Sequence, residues 1–422
     1  MNYYRFFISN YKILLFGLVL VYFCSFGQTF LLSLYIPSFL NSFDITRTEY
    51  SWIYASATLL SAFTIIFAGK IIDRIDLKIF TLLVIGGIFI ANIVAALSIN
   101  LVLLFISIFL LRFFGQGMLS HTSMTTMGRY FHHARGKALS VAYLGFPLGE
   151  ASLPIIIISL ISFVGWRETF IITAALILLI LLPFSLWTLS KFKAEDIVEE
   201  KPKIPLKDKD EVKEIDNERS FSQLDVLKSK NFLLFAPTVM LTGFTLTTLF
   251  FFQIFIADYK GWPAELMAAG ITGYAAASIV FSILSGPMID ALSARKLFPF
   301  LLLPMAIGIS ILNIFDHSVT PFIFWTLTGI SAGMHSPVIN AIYAEVFGIK
   351  SLGSVRSLFT FTMVLSTALG PVVYSFFLDR GFTFNDIHWG IVVLIIVLSI
   401  ALFISQYPKK STKQPKHISN SE

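Results

Sequence analysis

Long apolar runs constrain this chain more than any other feature. A membrane-spanning helix needs about 20 apolar residues at a rise of roughly 1.5 Å each, and the 422-residue sequence contains twelve such runs. Only 13% of the residues are charged, about half the share usual in soluble domains. We therefore predict an all-α polytopic membrane protein with twelve transmembrane helices. The predicted spans are 12–36, 50–70, 79–99, 102–127, 137–163, 168–190, 231–257, 265–288, 297–315, 320–345, 352–377 and 387–407.

The basic residues between the runs predict the orientation. One side of the membrane would hold 26 Lys and Arg residues and the other only four, which are Arg47, Arg167, Lys260 and Arg380. Because Lys and Arg accumulate in cytoplasmic loops, we expect both termini in the cytoplasm and the protein in the plasma or inner membrane. The net charge of +6 is spread over short loops, so we expect the lipid bilayer and not a nucleic acid as the large partner.

One long polar segment divides the spans into two sets of six. It covers 191–230 and combines mixed charge with two prolines, a composition typical of a linker. The predicted organisation is an N-terminal six-helix bundle over 1–190, a cytoplasmic linker over 191–230, a C-terminal six-helix bundle over 231–407 and a cytoplasmic tail over 408–422. The end of the linker, 221–230, is either a short amphipathic surface helix or plain linker.

The two sets of six spans share a weak internal repeat. The pentapeptide Gly69–Asp73 ends span 2, and a similar one, Gly286–Asp290, ends span 8, 217 residues later. The dipeptide Gly117-Met118 recurs as Gly333-Met334 after 216 residues. Repeats of six spans with the same orientation are parallel repeats, which place a pathway between the halves and a binding site near the midplane.

These motifs resemble the major facilitator superfamily. The loop with Gly69, Asp73, Arg74 and Lys78 is similar to the superfamily signature of Gly, three residues, Asp-Arg and a basic residue four positions later. The second copy keeps Gly286, Asp290 and Arg295. The resemblance implies two parallel six-helix repeats and gating residues that form ion pairs between the halves. The alternative is a simple anchor of positive charge on the cytoplasmic side. Glu345 and Arg356 would be gate charges of the second half.

Three further stretches resemble the monocarboxylate and oxalate/formate branch of the superfamily. They are 48–52 (TEYSW), 343–348 (YAEVFG) and 368–371 (ALGP). Members of that branch often have an Asp/Arg pair in span 8, whereas 270–285 has no charge here. A small organic anion such as a carboxylate and a neutral metabolite both stay open as substrates.

Two charges lie inside apolar runs and are candidates for substrate binding or coupling. Arg112 is in span 4, and Glu150 is in span 5; such residues are costly in a membrane unless they face the protein interior. At 100° per residue, Gln116 and Ser123 share the face of Arg112. Arg112 would bind an anion or belong to the coupling network, and Glu150 would exchange a proton. Alternatively, Arg112 and Glu150 form a structural pair.

Neutral polar residues suggest further pathway positions. Tyr22 and Gln28 give span 1 a polar face, Thr245 does so in span 7, and His335 lies in span 10; helix packing without a substrate role is the alternative. His132 and His133 are adjacent in a turn, a poor spacing for helical metal ligands, and Cys24 is the single cysteine. We expect neither a metal nor a cofactor.

Together these features predict a secondary active transporter that works by alternating access. No Gly-x4-Gly-Lys-Ser/Thr motif occurs, so an ion gradient would supply the energy. The first hypothesis is a symporter that moves a small organic anion with a proton and is functional as a monomer. The alternatives are efflux of apolar compounds and uptake of a neutral metabolite. A non-transporting receptor or an enzyme is a remote alternative, and we expect no enzymatic activity.

Overall fold

The computed structural model describes residues 3–131, 134–190, 192, 223–347 and 352–406. Within these residues the chain forms twelve long helices and no strand. The helices are α1 in two segments (Phe6–Gly27 and Thr29–Phe43), α2 (Arg47–Asp73), α3 (Leu77–Ala96), α4 (Leu101–Tyr130), α5 (Gly136–Val164), α6 (Trp166–Leu189), α7 (Lys230–Phe251), α8 (Ala264–Leu292), α9 (Ala294–Ile314), α10 (Thr320–Phe347), α11 (Leu352–Asp379) and α12 (Phe384–Gln406).

The helix lengths and compositions confirm the predicted class. Among the described residues, eleven helices are long and apolar enough to cross a membrane. The remaining one, α10, has 28 residues and a more polar sequence that includes His335 and Asn340. It completes the second set of six, as the repeat predicts.

Local signals in the sequence set several helix starts. Thr46 and Glu49 form a capping box at the start of α2, in which each side chain accepts from the other residue's backbone N–H. Asp76 caps α3, and Asn100 Oδ1 accepts from the N–H of Leu103 at the start of α4. Such caps satisfy N–H groups that have no partner within the helix. The short break predicted between spans 3 and 4 is therefore confirmed.

Glycines let helices within each half approach closely. On α5, an added Cβ at Gly149 would lie 2.1 Å from Ser25 Oγ of α1. On α10, an added Cβ at Gly333 would lie 2.4 Å from the carbonyl oxygen of Ser278 in α8. Without a hydrophobic drive between helices in lipid, such small-residue contacts supply the packing.

The prediction of one continuous first span over 12–36 is wrong. The helix ends at Gly27, and Gln28 has extended backbone angles (φ −81°, ψ 152°) before the second segment begins at Thr29. The N–H of Leu31 bonds to Gln28 O instead of Gly27 O, so Gly27 O has no helical partner. Residues 12–36 contain no proline that would end the helix at this point, and a tertiary contact described below stabilises the break.

The repeat counterpart of α1 is interrupted as well. The predicted span 231–257 ends as a regular helix at Phe251, and Phe252 leaves the helical range (φ −96°, ψ 7°) before a short helix over Gln253–Tyr259. Residues Leu111–Leu119 of α4 form a π-helix, a form that is frequent at functional sites. The break in α1 and the π-helix of α4 lie near the middle of their helices, and the irregular Phe252 directly follows the end of α7.

Some predictions concern residues outside the described part of the chain. The tail 408–422, most of the linker 191–230, and His132 and His133 belong there. The described end of the linker forms a short helix over Gln223–Lys228 with Val226 buried and Leu224 exposed, in agreement with the amphipathic alternative.

We expect Gly27→Ala to destabilise the protein strongly. The new Cβ would lie 2.1 Å from Leu111 O and 2.4 Å from Gln116 N, which are backbone atoms of α4, so the cost should reach the upper end of the roughly 1–3 kcal/mol typical of overpacking. Thermal unfolding of the detergent-solubilised protein measures the effect. Gly86→Ala is the control, since no atom lies within 4 Å of its Cβ position; equal melting temperatures for the two variants would contradict the described packing.

Candidate substrate pathway

Arg112 binds the backbone at the break in α1. Its Nη1 donates to Gly27 O at 3.1 Å and to Thr29 Oγ1 at 3.3 Å, and the side chain is only 5% exposed. The Nε of this guanidinium is buried and has no hydrogen-bond partner. Arg112 and Glu150 are both described in the structure and form no ion pair with each other, so the structural pair considered above is absent.

Aromatic and hydroxyl groups surround the guanidinium of Arg112. The guanidinium lies over the ring of Tyr54 of α2, 5.2 Å from its centroid, which is a favourable cation–π arrangement. The Tyr54 hydroxyl is 2.6 Å from Thr29 Oγ1. One helical turn earlier, the buried Tyr50 hydroxyl has no partner. The positive charge is thus held by a carbonyl, hydroxyls and a ring, with no carboxylate among the described residues that contact it.

Three of the other predicted pathway residues on α4 and α1 have side-chain partners other than Arg112. Ser123 is fully buried and donates to Gly17 O of α1 at 2.8 Å, so its hydroxyl joins α4 to α1. Gln116 is half-buried. On α1, the Tyr22 hydroxyl is 3.0 Å from Ser152 Oγ of α5, and Gln28 Nε2 is 3.9 Å from Cys24 Sγ.

Glu150 lies where α5 of the first half meets α8 of the second. The residue is half-buried, and the helix that carries it packs against α8 of the second half. The next residue, Ala151, accepts a hydrogen bond from Thr272 Oγ1 of α8 at 3.1 Å. A carboxyl group is therefore present directly at a contact between the halves.

In the second half, two predicted pathway residues contain buried polar atoms without partners. Thr245 of α7 is fully buried, and its Oγ1 makes no hydrogen bond. The same is true of the Nε2 of His335 in α10. Unpaired buried polar groups of this kind are uncommon and call for an explanation.

The predicted gating residues of the first half pair within that half. Asp73 forms an ion pair with Arg129 of α4, which also donates to Ile72 O. Gly69 O contacts His121 Nε2 at 3.0 Å, and this joins the end of α2 to α4. Arg74 and Lys78 are exposed. The expected ion pair between the halves is thus not the contact that Asp73 makes in this conformation.

The predicted gating residues Glu345 and Arg356 of the second half also bind groups of their own half. Glu345 of α10 accepts from the N–H groups of Ala294 (2.9 Å) and Arg295 (3.1 Å) at the start of α9. A carboxylate is favourable at a helix start, where N–H groups are free. Arg356 Nε donates to Asn340 Oδ1 at 2.9 Å, and Asp290 is exposed.

Hydrogen bonds between the halves lie elsewhere. We call the end of the bundle with Leu189 and Lys230 the linker end, and the opposite end, with Phe43 and Asp379, the far end. Apart from the Ala151–Thr272 contact, the bonds between the halves are at the far end: Thr48 to Asp379 at 2.5 Å, Ser51 to Ser375 at 2.8 Å, and Gln253 Nε2 to Phe30 O at 2.9 Å and to Ser33 Oγ at 2.7 Å.

Aromatic rings close the same region. Phe251 of α7 packs against the rings of Tyr50 (5.7 Å) and Tyr54 (5.1 Å) of α2. Ser51, Ser375 and Gln253 are fully buried. We call this set of hydrogen bonds and rings the far-end gate. Its hydrogen bonds involve neutral side chains except for Asp379. Tyr54 connects the far-end gate to Arg112, because its ring contacts both Phe251 and the guanidinium.

Several of these residues were not identified from the sequence. Tyr50 and Ser51 were noted only as part of the motif at 48–52, and Tyr54 and Ser375 were not noted, because a hydroxyl in a transmembrane helix has many possible partners. The spacing of Tyr50 and Tyr54, four residues apart and one turn from the start of α2, was the available signal. The motif at 48–52 has a local role as well, since Glu49 caps its own helix.

We expect the double variant Ser51→Cys/Ser375→Cys to form a disulfide on mild oxidation, in a Cys24→Ala background that removes the single native cysteine. The two hydroxyl oxygens are 2.8 Å apart, so the thiols would be adjacent whenever the far-end gate is closed. Mass spectrometry of non-reduced peptides measures the bond. Ser56→Cys/Ser375→Cys is the control, because Ser56 is exposed and bonds only to its own helix. Equal oxidation of both pairs would contradict the gate.

Solved structures show the same architecture. The nucleoside transporter NupG has a TM-score of 0.70 and 13% sequence identity, with 97% of this chain and 100% of NupG covered. A bacterial homolog of the human lysosomal transporter Spinster, in an inward-facing and unoccupied conformation, has a TM-score of 0.64 and 15% identity, with 94% and 96% covered. At such identities the likeness concerns the fold alone.

A sequence relative gives a shorter match. The "Multidrug resistance protein B homolog" of Mycobacterium tuberculosis is 29% identical over 121 residues, which is 29% of this chain and 22% of that protein. The match therefore spans about a fifth of the relative's length.

The family comparison covers nearly the whole chain. The model of the Major Facilitator Superfamily matches residues 18–271 and again 233–420, in agreement with two related halves. These matches do not confirm the resemblance to the monocarboxylate and oxalate/formate branch. The chain is an integral membrane protein that belongs to the major facilitator superfamily of transporters.

Proposed function

We propose that this transporter moves a small organic anion, such as a carboxylate, by proton-coupled alternating access. The observation that supports the anion is the environment of Arg112. A buried charge without an ionic partner is costly. Among the described residues, Arg112 contacts no carboxylate, and its Nε makes no hydrogen bond. A carboxylate substrate would supply the missing negative charge and accept two parallel hydrogen bonds from the guanidinium.

The closed far-end gate supports alternating access. With the linker end in the cytoplasm, as the basic loops predict, the far-end gate closes the side of the protein that faces away from the cytoplasm. The two six-helix halves would then rock about the α5–α8 contact and expose the site in turn. The arrangement of both termini in the cytoplasm and the division at 191–230 belong to the same proposal.

Glu150 is the proposed proton carrier. It is the carboxylate in the middle of a span, and its neighbour Ala151 accepts the hydrogen bond from Thr272 between the halves. A change in its protonation would change the charge at a contact that must alter during transport. Carboxylates in such positions of transporters commonly act in proton relays.

Export of apolar compounds is the second candidate. The partial match to a multidrug resistance protein and the 44 phenylalanines of the chain favour it. An exporter of apolar compounds would not need a guanidinium without a carboxylate partner beside its pathway, so the two candidates differ in the role of Arg112.

We expect carboxylates to stabilise the wild type against heat and to lose this effect in Arg112→Gln. A ligand at a hundredfold excess over Kd stabilises by roughly 2.7 kcal/mol, which a thermal-shift screen of lactate, oxalate, benzoate and neutral metabolites detects. Arg167→Gln is the control, because Arg167 likewise donates to a backbone carbonyl, that of Ser98 at 2.8 Å. If only neutral or apolar compounds shift the melting temperature, the anion proposal is wrong.

We expect Glu150→Gln to lose accumulation driven by a pH gradient while it keeps exchange of the substrate across the membrane without a gradient. The amide cannot take up and release a proton, whereas the shape of the site stays the same. Uptake of a carboxylate found in the screen, measured in proteoliposomes with and without a pH gradient, separates the two activities. Glu168→Gln, at an exposed position of α6, is the control. Wild-type accumulation by Glu150→Gln would exclude this role.

A further inference from the structure

We propose that the break in α1 connects Arg112 to the far-end gate, with Thr29 and Tyr54 as positioning residues. While Arg112 is bound to the break, the gate is held closed; when an anion takes over the guanidinium, the gate is released. The second part rests on the proposed function, and the first part does not.

The first step is the bond between Arg112 and the broken backbone. Gly27 O lost its helical donor because the N–H of Leu31 bonds to Gln28 O at 3.2 Å. Arg112 Nη1 replaces this donor at 3.1 Å. In a membrane interior an unsatisfied carbonyl costs several kcal/mol, so Arg112 stabilises the position of the segment that follows.

The second step is the attachment of that segment to the other half. The segment Thr29–Phe43 begins at the break, and Gln253 of the second half donates to Phe30 O and Ser33 Oγ within its first turns. Phe30 also packs against Phe250, with 6.0 Å between the ring centroids. The segment is therefore held at its start by Arg112 and immediately afterwards by α7 and the short helix that follows it.

Tyr54 is the third contact, and it joins Arg112 and Thr29 to Phe251 of the second half. Its ring lies under the Arg112 guanidinium, its hydroxyl is 2.6 Å from Thr29 Oγ1, and its ring edge packs on Phe251 of the second half at 5.1 Å. Thr29 Oγ1 also accepts from Arg112. A shift of Arg112 would thus disturb Thr29, Tyr54 and Phe251 together.

An anion would compete with these contacts. A carboxylate is a better acceptor for a guanidinium than a neutral carbonyl or hydroxyl, so it would draw Arg112 away from Gly27 and Thr29. A ligand shifts a conformational equilibrium only by its different affinity for the two states. Here the difference arises because Arg112 bonds to the break in the closed state and to the anion in the other.

Reactivity of a thiol buried in the gate tests the connection without any ligand. In a Cys24→Ala/Ser375→Cys background, N-ethylmaleimide should react slowly, because Ser375 is fully buried in the closed gate. Thr29→Val, Tyr54→Phe and Arg112→Gln should each raise the labelling rate about fivefold, which is the effect of one net hydrogen bond on an equilibrium. Thr64→Val is the matched control, since the Thr64 hydroxyl bonds only to Leu60 O of its own helix.

The outcomes separate this proposal from the proposed function. If Thr29→Val and Tyr54→Phe are folded, as judged by melting temperature and gel filtration, and label at the rate of Thr64→Val, the connection between the break and the gate is wrong. If they label faster, it is supported. Lactate, oxalate and benzoate are then added to the background protein: faster labelling with one of them supports the anion at Arg112. Faster labelling of the variants with no effect of any carboxylate leaves the connection standing and overturns the anion.

Discussion

The contact between Arg112 and the broken backbone of α1 is the interaction on which the rest of this structure depends. A membrane interior tolerates neither an unsatisfied carbonyl nor an unsolvated cation. The break at Gln28 leaves Gly27 O without a donor, and Arg112 in α4 has donors without a carboxylate. Each group meets the requirement of the other at 3.1 Å. Close approach of the two helices at Gly27 and Gly115 makes this contact possible.

The break also allows α1 to serve two neighbours. Phe6–Gly27 packs within the first half, where Ser123 and Tyr22 join it to α4 and α5. Thr29–Phe43 instead accepts the hydrogen bonds of Gln253 from the second half. A continuous helix would continue in one direction, whereas the broken one presents its second segment to α7.

Most hydrogen bonds between the halves involve neutral side chains, whereas the ion pairs among the described residues lie within one half. At the linker end, Asp73 and Glu345 bind groups of their own half. At the far end, serine, threonine and glutamine side chains form most of the bonds between the halves. Each neutral hydrogen bond contributes only about 1 kcal/mol net, so such a contact is easily opened and re-formed. Weak bonds between rigid halves are suited to a protein whose halves must move relative to each other.

The sequence by itself determined the class, the number of spans, the parallel repeat and the superfamily, because twenty apolar residues in a row have few alternatives to a transmembrane helix. It also pointed to Arg112 and Glu150, since charges within apolar runs stand out. Only the tertiary structure decided what these residues touch. The break at Gln28 lies in an apolar run without proline, and the partners of Arg112, Ser51 and Gln253 are on helices distant in sequence. Such contacts depend on the relative placement of the helices, which hydrophobic periodicity does not specify.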